Sequence, residues 1–167
     1  MSENTYLDLF EIQVGRNGKK IAVTEPAMAR SVTYEELNAY AGRIASKMTG
    51  SGVRRGDCVA LVLPNGIDET AAMLAAMKLG AAVVPLNVMY PQDRLQYIYK
   101  DCKARLVVKA DFFSDVDQFT PVPADYPRSG EDIAMLVYIS GSTGNPKGVI
   151  IDQNALALSI LKKFCVP

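Results

Sequence analysis

The run Cys58-Val-Ala-Leu-Val-Leu63 holds six apolar residues with no polar interruption and stops at Pro64-Asn65-Gly66. A strand with one wet face alternates polar and apolar residues, so an unbroken run of this length predicts a strand covered on both faces, the environment of a parallel sheet. Parallel neighbours need crossover connections, and the following sequence supplies them. Ile67 to Leu79 reads as a helix rich in Ala, Met and Leu, Gly80 to Pro85 as the next strand, Pro91 to about Lys100 as a second helix, and Arg105 to Lys109 as a further strand. Strand and helix alternating at such short intervals predict an α/β domain with a mostly parallel sheet, helices on both faces and right-handed crossovers.

The segments on either side fit that plan. Tyr6 to Val14 places its apolar residues on one side of a short helix, ended by Gly15 and the Asn17-Gly18 pair, and Ile21 to Thr24 reads as a strand. Thr33-Tyr-Glu-Glu36 has the spacing of a capping box. Behind it Tyr34, Leu37, Ala41, Ile44, Ala45 and Met48 keep helical spacing until Gly50 and Gly52. Residues 111–132, with Pro121, Pro123 and Pro127, read as an irregular connection. Ile133 to Ile139 and Val149 to Ile151 resume strand character, and Asn154 to Phe164 has the spacing of a helix.

A chain of 167 residues is one domain by the usual length relation, here residues 1–167. Lys+Arg and Asp+Glu are each 18, so the net charge is zero and the basic excess expected of a nucleic-acid or acidic-membrane binder is missing. Cys58, Cys102 and Cys165 are widely spaced and histidine is absent, which disfavours a disulfide scaffold, a zinc site and any Ser-His or Cys-His nucleophilic pair. No segment approaches membrane-spanning length and the N-terminus carries no targeting pattern, so a cytoplasmic protein is expected.

Between the last two predicted strands lies Tyr138-Ile-Ser-Gly-Ser-Thr-Gly-Asn-Pro-Lys-Gly148, with three glycines, several hydroxyl or amide side chains and one lysine. Gly141 and Gly144 let the backbone approach a ligand closely, so N–H groups can converge on anionic oxygens. Ser140, Ser142 and Thr143 add donors, and Lys147 adds charge. It is not a Walker A loop, which wants glycine directly before the lysine and a hydroxyl residue directly after it. The same residue types also build ordinary turns between strands, and that reading stays open on the residues alone.

Taken at full length, Tyr-x-Ser-Gly-Ser-Thr-Gly-x-Pro-Lys-Gly resembles the phosphate-binding signature of the acyl-adenylate-forming (AMP-dependent synthetase/ligase) superfamily. Val32-Thr-Tyr-Glu-Glu-Leu37 and Met77-Lys-Leu-Gly-Ala-Ala-Val-Val-Pro-Leu-Asn87 resemble two further blocks of the same superfamily, in family order. The resemblance implies an N-terminal part of an acyl-CoA synthetase or a peptide-synthetase adenylation domain. It implies ATP and a carboxylic acid as substrates, an acyl-adenylate as product of the first step, and then a thiol acceptor such as CoA or carrier-protein phosphopantetheine. Ser140, Gly141, Ser142, Thr143, Gly144 and Lys147 match the family's phosphate-contacting positions, with Lys147 also the candidate catalytic group. Magnesium is implied as a cofactor, with its carboxylate ligand outside this sequence.

Two positions depart from the family pattern: Ile139 stands where threonine is common, and Gln153 where many members have histidine. The adenine-binding and ribose-binding motifs and the small C-terminal domain with its lysine have no counterpart here, so the chain alone is expected to be inactive. Two other readings remain at this point, a nucleotide-binding module without catalysis and a structural piece that pairs with itself or a companion chain through uncovered apolar faces. Tyr90-Pro-Gln-Asp-Arg-Leu-Gln-Tyr97 leans toward amino-acid activation and Val84-Pro-Leu-Asn87 toward acyl-CoA synthetases, so the acid and its acceptor stay undetermined.

Overall fold

The computed structural model describes residues 5–122, 127–140 and 145–164. The sheet forms where the unbroken apolar runs predict it. Strands β3 (Cys58–Val62), β4 (Ala82–Leu86), β5 (Leu106–Val108), β6 (Ile133–Ile139) and β7 (Lys147–Asp152) build a five-stranded sheet in the order β5-β3-β4-β6-β7. β3 pairs in parallel with β4 from Cys58↔Ala82 to Val62↔Leu86, and also in parallel with β5, while β4 pairs in parallel with β6. Only β7 runs antiparallel, returning along β6. The two strands that opened the sequence analysis therefore lie in the interior of the sheet, and Val59, Ala60, Leu61, Val83 and Val84 are inaccessible to solvent.

Helices cover both faces. One apolar cluster joins alternate β3 and β4 residues, Val59, Leu61 and Val83, to α1 (Tyr6–Asn17), α2 (Tyr34–Gly50) and α3 (Ile67–Lys78). The second joins Ala60, Val84, Leu86 and Tyr138 to Leu95 and Ile98 of α4 (Gln92–Asp101). The crossover β3-α3-β4 thus runs over one face and β4-α4-β5 over the other. The final helix, α5 (Gln153–Phe164), begins directly after β7 and contacts α1, β6 and β7.

Helix starts are set by named polar contacts. The expected capping box at α2 is present: Glu36 N donates to the Thr33 hydroxyl at 3.2 Å, and Thr33 N donates to Glu36 Oε2 at 2.8 Å. A second box, Thr5 with Asp8, opens α1 in the same way, and that helix passes through Gly15 to end at Asn17. α3 has glycine at its cap position, with no side chain to serve the first amides. Instead Glu25, at the end of β1 (Ile21–Glu25), accepts from Ile67 N at 2.9 Å. A Cβ on Gly66 would fall 1.8 Å from that carboxylate oxygen, so any side chain there would displace Glu25 from the Ile67 amide. β1 pairs antiparallel with β2 (Arg30–Thr33) as a separate two-stranded sheet, an element the apolar pattern did not announce.

The connection after β5 contains two short 3-10 turns, Ala110–Phe113 and Val116–Gln118, and its described residues are well anchored. Lys47 on α2 donates to Phe112 O at 2.6 Å, pairs with Asp115 and lies 4.4 Å over the Phe112 ring. Val122 N then donates to Gly42 O, where a side chain would strike Pro121. Beyond it Arg128 pairs with Asp8 and Glu11 of α1, and Glu11 lies 3.6 Å from Lys78 Nζ, whose side chain is only 4% exposed. Burial lowers the Lys78 pKa. Burial would raise that of Asp8, but the Thr5 hydroxyl and amide and the Arg128 guanidinium outweigh it and hold the carboxyl below its usual range.

Four outcomes follow for urea or acid denaturation followed by circular dichroism. Thr33→Ala removes a helix cap and lowers stability by about 1 kcal/mol. Arg128→Met strands Asp8 and Glu11 and costs about 2 kcal/mol, whereas Lys78→Met exchanges a desolvated ammonium for an apolar group and stays within about 1 kcal/mol of wild type. Because Asp8 has a depressed folded-state pKa, its contribution is present above the unfolded carboxylate value of about 3.9 and is lost as pH falls through the lower folded value, so Asp8→Asn flattens the acid limb of the stability curve.

Candidate functional site at the carboxyl edge of the sheet

Ligands in open parallel sheets bind outside the carboxyl ends of the strands, where successive crossovers lie on opposite faces and the strand order reverses. Here that reversal falls at β3 and β4, since β4 lies on one side of β3 and β5 on the other. A crevice of about 380 Å3 opens there, lined by Leu63, Pro64, Asn65 and Glu69 beyond β3 and by Pro85 to Val88 at the end of β4. Burial pushes the Glu69 carboxyl up. β6 is the next strand over and ends at the same edge.

The glycine-rich segment leaves this edge as the connection between β6 and β7. The two strands stay paired through Tyr138↔Gly148 and Ile139↔Lys147. Ser140 follows the last pair on one limb, and Lys147 is the first strand residue on the other. Both are exposed, and among the described residues Lys147 joins no ion pair. The sequence places Lys147 in the loop; the structure draws it into β7. Pro146 has no N–H to give the ladder, so regular pairing starts one residue later. The ammonium therefore stands on a fixed strand end at the mouth of the loop. Gly141, Ser142, Thr143 and Gly144 lie outside the described residues.

Below the loop the hairpin is braced from the α4 side. Tyr138 is 6% exposed, and its ring borders Gly148 on the neighbouring strand, where a Cβ would come within 3.3 Å of Cζ. Its hydroxyl donates to Asp101 Oδ2 at 2.5 Å. Burial first, and then this bond, raises the phenol pKa, so the proton stays on the tyrosine. Neither partner was singled out from sequence for this contact, because 37 residues separate them.

The two departures from the family pattern have distinct settings. Ile139 is 52% exposed at the loop entrance, whereas Gln153, the first residue of α5, is buried at 4%, with its Oε1 lacking a partner among the described residues. Cys58 and Cys102 are half-buried free thiols against the α4-side cluster, and burial pushes the Cys102 thiol up to about 11, which makes it a poor nucleophile. Cys165 lies outside the described residues. Among the described residues, no three His, Cys, Asp or Glu side chains group to hold a metal, and no helix is long and apolar enough to cross a membrane.

Comparison with known proteins places this geometry in context. The sequence profile described as "AMP-binding enzyme" matches residues 10–166. Surfactin synthase subunit 2 of Bacillus subtilis is 34% identical over 176 residues, an alignment that takes in 93% of this chain and 5% of that protein. Malpibaldin synthetase of Mortierella alpina is 33% identical over 181 residues, covering 95% of this chain and 3% of that protein. The chain thus spans a few per cent of the length of these curated relatives. Among solved structures, the Klebsiella oxytoca NpsA N-terminal subdomain in complex with 3-hydroxybenzoyl-AMSN superposes with a TM-score of 0.79 at 27% identity, covering 90% of this chain and 41% of that one. A Mycobacterium tuberculosis fatty acyl CoA synthetase, at 24% identity and a TM-score of 0.78, shares the fold over 90% of this chain and 35% of its own.

Proposed function

The chain belongs to the AMP-binding enzyme family, and from that premise we propose that it supplies the phosphate-gripping edge of an ATP-dependent carboxylic acid ligase. The observation that carries the reading is the placement of Ser140 and Lys147 on either limb of the Gly-Ser-Thr-Gly connection, at the carboxyl edge of the sheet and one strand away from the crevice at the strand-order reversal.

In the proposed reaction a carboxylate oxygen attacks the α-phosphorus of ATP. The bond from that phosphorus to the bridging oxygen breaks, giving an acyl-adenylate and pyrophosphate. Negative charge grows on the departing pyrophosphate. A group that meets that charge more strongly in the transition state than in bound ATP accelerates the step. Lys147 suits the task because its stem rises from a paired strand and its ammonium is not committed to a carboxylate among the described residues. The hydroxyl of Ser140 and the loop residues Gly141, Ser142, Thr143 and Gly144 complete the proposed cradle with N–H and O–H donors.

The acyl-adenylate then passes its acyl group to a thiol, either CoA or a carrier-protein phosphopantetheine, releasing AMP. Magnesium neutralises phosphate oxygens in reactions of this type. The described residues offer it no ligand set, so no step is assigned to it here. The carboxylic acid and the choice of thiol are left open by the two sequence hints, and similarity to both peptide and acyl-CoA synthetases supports the adenylation step they share.

Two measurements test the reading. ATP titrated into the 15N-labelled chain is expected to shift amides around Ser140 and Lys147, and Lys147→Ala to weaken affinity by roughly tenfold or more, the scale of a lost hydrogen bond to a charged group. Equal affinity in wild type and variant removes Lys147 from the cradle. In a longer protein carrying this segment, labelled pyrophosphate should exchange into ATP only when a carboxylic acid is present; absence of exchange across a broad acid panel sinks the ligase assignment.

A further inference from the structure

The geometry points to Tyr138 and Asp101 as a latch that fixes the open end of the β6–β7 hairpin to α4, making both of them positioning residues for Ser140 and Lys147. This rests on the reading of the site given above and adds to it the device that anchors the two strand ends.

Among the described residues β7 is an edge strand, paired only with β6, and it exposes Ile150 at 63% on the α4 side of the sheet. An edge hairpin held by one ladder alone frays from its open end, and that end is where Ser140 and Lys147 stand. Tyr138 closes the ladder just behind them. Gly148 opposite has no side chain, and a Cβ there would come within 3.3 Å of Tyr138 Cζ, so the ring borders the neighbouring strand where a side chain would crowd it.

The ring could be held by packing alone, since Leu86, Leu95 and Ile98 share its cluster. Phenylalanine would do that equally well. What the hydroxyl adds is a bond at 2.5 Å to the Asp101 carboxylate, the length of a charge-assisted O–H to O contact. Asp101 is the last residue of α4. A carboxylate there opposes the helix dipole, which favours cations at that end. Local helix chemistry therefore argues against an acid at this position, and the bond to Tyr138 is what the acid contributes. α4 in turn is bound to the interior strands through Leu95 and Ile98, so the latch ties a frayable edge to the best-buried part of the molecule.

A latch differs from a mere packing contact in what its loss should change. Tyr138→Phe keeps the ring and removes only the donor. Global stability should stay near wild type by urea denaturation, while hydrogen exchange of the amides of 139, 140, 145, 147 and 148 accelerates by about tenfold, the scale of one lost hydrogen bond to a charged group, and exchange in β3 and β4 is unaltered. ATP affinity should fall with it. Asp101→Ala should reproduce both effects, Asp101→Asn, which keeps an acceptor oxygen, should restore most of them, and the Tyr138→Phe/Asp101→Ala double variant should be no worse than either single change.

Unchanged exchange at 147 and 148 in Tyr138→Phe overturns the proposal, as do single effects that sum in the double variant. Should the wild-type chain bind no ATP, the proposed function falls by its own test, and the exchange comparison still decides whether the latch exists.

Discussion

Two-sided burial of β3 and β4 is the constraint on which everything else rests. Their continuous apolar runs leave no face that water can tolerate, so helices must lie on both sides, and the chain meets this by sending successive crossovers over opposite faces. That same choice makes the strand order reverse between β3 and β4, and the reversal opens the crevice at their carboxyl ends. The location of the candidate site follows from how the core is covered.

Much of this was legible in the sequence for a physical reason. An apolar run bounded by Pro and Gly, or a helical stripe behind a capping box, is a local signal, and local signals survive without the fold. Thr33 with Glu36, the strand at Cys58 and the helix after Gly66 are of this kind. β2 was missed because Arg30, Ser31, Val32 and Thr33 contain a single apolar residue; the hairpin it forms is held by backbone pairing, by Glu25 and by Ala22, Val23 and Val32 against the larger core cluster. Lys78 was read as part of an apolar helix, and its ion pair with Glu11 joins residues that no spacing rule connects.

The site shows the same division. Residue types and order in the Ser140 to Gly148 stretch identify its chemistry, yet they do not say that Lys147 is a strand residue or that Tyr138 reaches α4. Those facts depend on register, and register is set by pairing over the whole length of β6 and β7. Lys147 gains directional definition from that pairing which a loop lysine would lack, and orientation of a charge is worth most where the charge it meets is transient.

Glu25 carries one more consequence. The helix that forms one wall of the crevice receives its first backbone partner from a carboxylate 42 positions earlier in the chain. Neither the small hairpin nor the start of that helix is complete without the other, so the N-terminal hairpin cannot be an independent appendage. Docking of the hairpin completes the crevice wall, and any event that peels it away would remove the partner of the first amide of α3, linking the N-terminal layer to the mouth of the cleft.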